Sequence, residues 1–481
     1  MHEAGARARE VKVANGGSRD ELLRQDLPAL TGLRFVAAFS VLIGHGFAWI
    51  LADHETPGGL VFWVSQISGF GMTLFFVLSG FVIHYNYGKL VTTKGARGVA
   101  AFLWARFARL YPLFLLMMLV YVALSSRTLA LLAGNPERFG SILQALPYFL
   151  LSIHTWVYSL IGENPVIDAI GGGSPITWSI STEWFFYFAY PLVAWLILRA
   201  RTPRLAAALA LLWCALWIAV TVGLYDWSDA INAWAVRYYG PIAGTQEHFQ
   251  TSFVRWLLYF SPYVRVGEFL LGTLMAQLYI NLERRSVSDR ENLAGTVVFF
   301  TAVISVAVIT YLNYSAIAYL SNSPNTNANM SCTNIVCKMN MNFALAPTAA
   351  LLVFCGARYK NIGSRVLALR PVLLLGGASY SIYLVHDVVL GIAVKLTGTA
   401  KHSFVYDSAK LVLLLVIVLA ISLALYTYYE APARKWLRKW QRGTSASSAV
   451  QAAASLNKTL PASRANFRRR EIVRKISAAF A

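Results

Sequence analysis

Ten runs of apolar residues, each about as long as a bilayer is thick, constrain this chain more than any other feature. A segment of roughly 20 residues in hydrocarbon has no water for its peptide groups and must satisfy them internally, as a helix. The runs cover 29–50, 61–86, 99–123, 176–198, 204–224, 253–280, 293–313, 341–357, 371–394 and 406–428. The expected fold class is all-α, a polytopic transmembrane helix bundle of about ten spans plus a re-entrant segment. That segment is 141–161, which holds Pro147, His154 and Trp156 and leads into GGGSP at 171–175. A single crossing there would break the alternation of loop charge, so it reads as re-entrant or interfacial, with an eleventh crossing as the competing topology.

A formal net charge of +20 on 481 residues would point to nucleic acid in a soluble domain. Here 57% of residues are hydrophobic and 13% charged, and the basic ones gather in short clusters between spans, so no nucleic-acid partner is expected. Loops after the even-numbered spans carry Lys89, Lys94 and Arg97, then Arg199, Arg201 and Arg204, then Arg284, Arg285 and Arg290, then Arg358, Lys360, Arg365 and Arg370. Loops 51–60, 225–252 and 314–340 are much poorer in Lys and Arg, which places both termini in the cytoplasm by the positive-inside rule. The expected location is the inner (plasma) membrane of a bacterium. Residues 1–26 read as a cytoplasmic segment without a cleavable signal, so the first span acts as the insertion signal. Residues 27–440 form the membrane domain, and 441–481 a disordered basic cytoplasmic tail able to touch anionic lipid. Cys214 and Cys355 lie in apolar runs, whereas Cys332 and Cys337 share a polar loop and can be bonded only if that loop is extracytoplasmic.

Ionisable residues inside the runs are the candidates for chemistry, because hydrocarbon makes them costly. Arg34 and His45 stand eleven residues apart in the first run, three turns plus about 20°, so they share a helix face about 16 Å apart. The bland alternative has Arg34 snorkelling to headgroups and His45 bonding a carbonyl. Arg106 and Arg109 in ARFARLYP share a face at a helix entrance, suited either to gripping phosphate bidentately or to anchoring at the cytoplasmic surface. Glu183, in TWSISTEWFFY, needs a function or a partner, for which Arg34 and His45 are available. Glu268 has Arg265 one turn away and reads as structural. His386 and Asp387 form a second base with its orienter, or a tie between helices. Ser79 and Gly80 give close approach to a ligand or a neighbouring helix, His84 reads as packing, and Glu430 sits four residues before Arg434 without chemistry.

In order, LTGLRFVAAFSVLIGHG, FFVLSGFVI, ARFARLYP, TWSISTEWFFY, RVGEFLLGTL, SYSIYLVH and YYEAPAR resemble the integral-membrane acyltransferase 3 family over roughly residues 27–440. Each piece alone is common; seven in the family's order are not. The resemblance implies a bundle of about ten spans that moves acyl groups, often acetyl from acetyl-coenzyme A, to hydroxyls of glycans, lipid-linked sugars, antibiotics or polyketides. It implies Arg34 and His45 as a paired signature with His45 catalytic, and Arg106 and Arg109 as contacts to the acyl donor. His45 and Glu183 are then the catalytic candidates, and Arg34, Arg106 and Arg109 the donor-binding ones. Ser79 and His386 are further candidates in matching stretches. Acyl-coenzyme A is expected as a donor substrate, with no tightly bound cofactor and no metal; a glycan, lipid-linked sugar or secondary metabolite is expected as acceptor, and membrane lipid as surroundings. The chain departs from some relatives in lacking a C-terminal hydrolase-like domain and in carrying the polar loop SNSPNTNANMSCTNIVCKMN at 321–340.

The assignment is coherent physically. Acyl transfer to a hydroxyl needs a base, worth about 10²–10⁴-fold, and cations for the donor's phosphates. The sequence has no G-x-S-x-G elbow, which favours direct transfer over an acyl-serine, with an acyl-histidine still open. A secondary transporter would also place Arg, His and Glu in the membrane, but it predicts two repeated halves, and none is visible. A non-catalytic scaffold predicts that His45 is replaceable.

Overall fold

The computed structural model describes residues 27–55, 59–125, 137–162, 164–170, 176–245, 252–321, 339, 342–397 and 402–439. The expected N-terminal segment, the GGGSP approach, the Cys332–Cys337 loop and the basic tail lie outside the described residues.

Eight of the ten expected spans are helices long and apolar enough to cross a membrane. The first is α1, Pro28–Ile50. The second is α3, Ile67–Thr93, entered through the short α2, Leu60–Ser65. There follow α4, Gly95–Leu124, α6, Trp178–Ile197, and α7, Pro203–Asp226. Further along come α10, Asp289–Ser321, α14, Ser379–Thr397, and α15, Phe404–Leu425, which runs on through a π-turn at Tyr426–Glu430 to Lys439. The other two expected spans differ. The run 253–280 is broken by a π-turn at Trp256–Phe260, and Ser261 then caps α9, Pro262–Leu282, whose buried faces carry Arg265, Glu268 and Gln277. The run 341–357 gives only α11, Ala346–Arg358, 13 residues or about 20 Å.

Two boundaries also moved. The run 371–394 is two helices, α13, Arg370–Gly377, and α14, separated by Ala378. The connection 225–252, read as a loop, contains α8, Ser228–Tyr239. The stretch 141–161 begins in α5, Glu137–Leu150, 14 residues or about 21 Å, short of a ~30 Å hydrocarbon core. Two residues past the helix, Ser152 turns the chain with a φ of 53°. The chain then packs back on α6, where the Thr155 hydroxyl donates to Ser181 at 2.8 Å and the Trp156 indole to the Ser181 carbonyl at 2.9 Å. A two-residue hairpin of β1, Leu160–Ile161, and β2, Asn164–Pro165, follows.

The bundle is built around α3, which packs most extensively against α9 and α1. The α3–α9 seam is set by glycine: a methyl at Gly80 would overlap the Phe269 carbonyl oxygen, and one at Gly272 the Val77 carbonyl. Small residues are what allow helix backbones to approach so closely. At the periphery the balance reverses. The apolar window of the α2–α3 span is 67% buried inside the protein, against 17% for α7 and 22% for α15, so those outer helices present a lipid-facing surface.

Charges inside the bundle are disposed of pairwise where they can be. Arg265 donates to Glu268 at 3.0 Å and to the Tyr259 carbonyl at 2.8 Å, beneath the rings of Phe76, Trp178 and Tyr259; Thr73 adds a 2.7 Å hydrogen bond to the same Glu268 oxygen. His84 is held between the Tyr190 hydroxyl and Gln277, both at 2.9 Å, and Glu430 accepts from Ser381 at 2.7 Å. These three sites join helices; Glu430 meets Ser381 of α14, where the sequence offered Arg434 as its neighbour. Cys214 and Cys355 are free thiols.

Candidate active site

Five of the seven candidate residues line one cavity: Arg34, Ser79, Arg106, Arg109 and Glu183. They come from four helices, and local periodicity explains each contribution. On α3, Phe75, Phe76, Ser79, Val82 and Ile83 recur at three- and four-residue intervals and form one wall. Arg106 and Arg109 share a face of α4, as their spacing requires, and Ser179 and Glu183 stand one turn apart on α6. Tyr380 and Tyr383 close the cavity from α14, and Arg34 enters from α1.

Glu183 is bonded neither to Arg34 nor to His45. Its Oε1 accepts from the Ser79 hydroxyl at 2.7 Å and from the Tyr187 hydroxyl at 2.5 Å. Among the described residues none of the three guanidiniums forms an ion pair. Three arginines thus line the cavity with one carboxylate whose hydrogen bonds come from hydroxyls, while Glu430 lies within electrostatic reach of Arg109. Arg106 is buried, donates to Tyr87 at 2.8 Å and lies over that ring at 4.7 Å, and its Nε has no hydrogen-bond partner among the described residues. A buried guanidinium with a donor to spare is suited to an anionic oxygen. More cation gathers at the entrance. The Trp104 indole donates to the Leu437 carbonyl at 3.1 Å, docking the end of the last helix on α4, with Arg438 within electrostatic reach of Tyr87, Arg106 and Arg109.

The other two candidates meet each other instead. His45 Nδ1 lies 3.0 Å from His386 Nε2, joining α1 to α14, while the His45 ring stacks on Trp49 at 5.1 Å. His386 Nδ1 makes no well-aligned hydrogen bond, but the Ile382 and Tyr383 carbonyls lie toward it, and carbonyls only accept. With the proton on His386 Nδ1, facing those carbonyls, His386 Nε2 is the acceptor, His45 Nδ1–H the donor, and the lone pair of His45 is on Nε2; the opposite tautomers reverse the pair. Asp387 makes no hydrogen bond to this pair; it lies beside Tyr121, whose hydroxyl reaches the Leu384 carbonyl at 3.5 Å.

Tyr383 connects the two places. Its hydroxyl accepts from Ser179 at 2.8 Å and donates to the Ile176 carbonyl at 2.8 Å, its edge borders the cavity, and its ring centroid is 5.8 Å from that of His386. Neither Tyr383 nor Tyr187 was singled out from sequence. A signal was available for both, since Tyr383 stands three residues before His386 and Tyr187 four after Glu183, each on the same helical face as its neighbour.

Comparison with known proteins bears on this arrangement. The acyltransferase-domain model of the acyltransferase 3 family matches residues 27–427. Acyltransferase MdmB of Streptomyces mycarofaciens is 29% identical over 251 residues, 52% of this chain and 57% of that protein. The protein named Putative peptidoglycan O-acetyltransferase YrhL of Bacillus subtilis (strain 168) is 24% identical over 425 residues, 85% of this chain and 55% of its own length. Protein 2 in picA locus of Rhizobium radiobacter is 36% identical over 94 residues, 20% of this chain and 43% of that protein. The chain thus spans about half the length of the curated relatives it matches. No solved structure gives a significant match.

Proposed function

Because the chain belongs to the acyltransferase 3 family, we propose that it is a membrane O-acyltransferase that moves an acyl group, acetyl before others, from acyl-coenzyme A to a hydroxyl of a carbohydrate or glycoconjugate. The observation that carries the reading is the cavity in which Arg34, Arg106 and Arg109 share a single carboxylate already held by hydroxyls. Guanidiniums in that state are suited to the donor's phosphates, which they grip as forks. The relative named as a peptidoglycan O-acetyltransferase supports acetyl as the group and a carbohydrate hydroxyl as the acceptor.

His45 is the base on this reading. The acceptor oxygen bonds to the thioester carbonyl carbon as its proton passes to His45 Nε2; the tetrahedral adduct then collapses, the carbon–sulfur bond breaks, and coenzyme A leaves as thiolate to take up that proton. His386 positions His45 through the 3.0 Å contact, and Glu183 is the second catalytic group, fixing Ser79 and Tyr187 at the cavity wall. Arg34 and His45 are eleven residues apart on α1, about 16 Å, so the pantetheine arm lies along the helix past Tyr383.

The test uses purified protein with acyl-coenzyme A. His45→Asn is expected to lower transfer by at least about 10²-fold with donor affinity little changed, and with a melting temperature near that of the parent. Near-normal transfer in His45→Asn, or no thioester cleavage by the parent protein, overturns the reading. The proposed topology has a separate check: cysteines at Lys94 and Ser286 should be labelled only from the cytoplasmic side, and labelling from outside reverses it.

A further inference from the structure

Against α1 lies a second and larger void. Leu33 and Val36, which flank Arg34 in sequence, form its inner wall, and Phe299 to Thr310 on α10 form the opposite one. Its ends are marked by Trp63 of α2 and by α12, Ile362–Leu367. From Phe299 to Thr310 the groove runs eleven residues, about 16 Å, roughly half the hydrocarbon thickness of a bilayer. Aliphatic and aromatic side chains line it almost throughout.

The exceptions sit at one end. The Trp63 indole nitrogen and the Thr310 hydroxyl both border the groove, both atoms are buried, and neither has a hydrogen-bond partner among the described residues. Thr310 as a whole is 4% exposed. Its neighbours on α10 behave differently: Thr296 donates to the Asn292 carbonyl at 2.7 Å and Ser305 to the Thr301 carbonyl at 2.8 Å, the usual refuge of a helical hydroxyl. Thr310 forgoes that bond. Both orphan donors lie where their helices leave the apolar zone, Trp63 one turn inside α2 and Thr310 next to Tyr311, the level at which aromatic residues meet headgroups.

We propose that this groove is a binding site for a glycerophospholipid, with one acyl chain lying along α10 toward Phe299 and α12, and with an ester carbonyl accepting from Trp63 Nε1 and Thr310 Oγ1. A carbonyl is the group a lipid offers at that depth, directly above a chain of about the groove's length. Polyprenyl chains fill apolar grooves as well, but carry no carbonyl at their head. The site is independent of the acyl-transfer reading. It nevertheless shares the α1 wall with the arginine cavity.

Native mass spectrometry of the full-length protein from mild detergent, with lipid analysis of the same sample, tests this. One phospholipid per chain is expected to be retained, and to be lost in Ala307→Trp, which fills the groove. Thr310→Val keeps shape and removes one donor, so it should weaken retention of added phosphatidylglycerol or phosphatidylethanolamine about tenfold. If Ala307→Trp does not fold, Thr310→Val and Trp63→Phe decide alone. A retained polyprenyl lipid in place of phospholipid, retention of detergent only, or retention unchanged in both donor variants overturns the proposal.

Discussion

The same two residue types, arginine and glutamate, are buried twice in this bundle, with opposite outcomes. On α9, Arg265 and Glu268 stand three residues apart and close on each other at 3.0 Å, with a carbonyl, a threonine and three aromatic rings enclosing them. In the cavity, Arg34, Arg106, Arg109 and Glu183 come from three different helices, and none of the guanidiniums reaches the carboxylate. A pair built into one turn of helix neutralises itself locally. Charges assembled across helices are held apart by the walls that carry them, and the positive excess remains open to an anionic ligand. One site therefore serves folding; the other is the one we propose for binding.

Substitution should separate the two most sharply on α9. Arg265→Ala or Glu268→Ala leaves a buried charge without its partner and is expected to cost about 3–5 kcal/mol, seen as loss of folded protein in a detergent thermal-stability assay. Replacing both by Met and Leu should cost less than either single change, and a double variant as unstable as the singles would remove the pair from this account. In the cavity the cost should fall on binding. The double variant Arg106→Ala/Arg109→Ala is expected to stay folded and to raise the KM for acyl-coenzyme A by about 10²-fold, with Lys restoring only part because it cannot fork. An unchanged KM would return both residues to membrane anchoring. Smallest of the three, Glu183→Gln keeps the shape that Ser79 and Tyr187 bind; stability should change by no more than about 1 kcal/mol while kcat falls about tenfold. Full turnover in that variant would reduce Glu183 to a charge balance.

What could be read in the sequence follows the same division between local and assembled features. Eight of the ten expected spans, the shared face of Arg106 and Arg109, and the Arg265–Glu268 pair are matters of spacing along one helix, and these are found. The meeting of His45 with His386 is 341 residues distant in sequence, and that of Ser79 with Glu183 is 104, so periodicity places each on a face without saying which face it meets. Hence Glu183 was matched to Arg34 or His45, the charged groups in view, when two hydroxyls bind it. The helix Ser228–Tyr239 was missed because its SDAINAWAVRYY is of mixed polarity and carries exposed Trp234 and Tyr238, so a search for long apolar runs passes over it. The short α11 shows the reverse, since an apolar run does not by itself fix a helix length.

The glycine contacts have a bearing on how the protein meets different membranes. Gly80 and Gly272 lock α3 to α9 backbone against backbone, and Gly71 brings α3 against the Ala37 carbonyl of α1, so α1, α3 and α9, the first two of which line the cavity, resist tilting separately. A bilayer thinner or thicker than the protein's apolar belt exerts its stress by tilting or displacing helices. That stress falls first on α7, α10 and α15, whose faces look outward. Ser79, next to Gly80, keeps its place relative to α1 and α9 whatever the lipid thickness, and the centre of the bundle works as a fixed gauge inside a compliant shell.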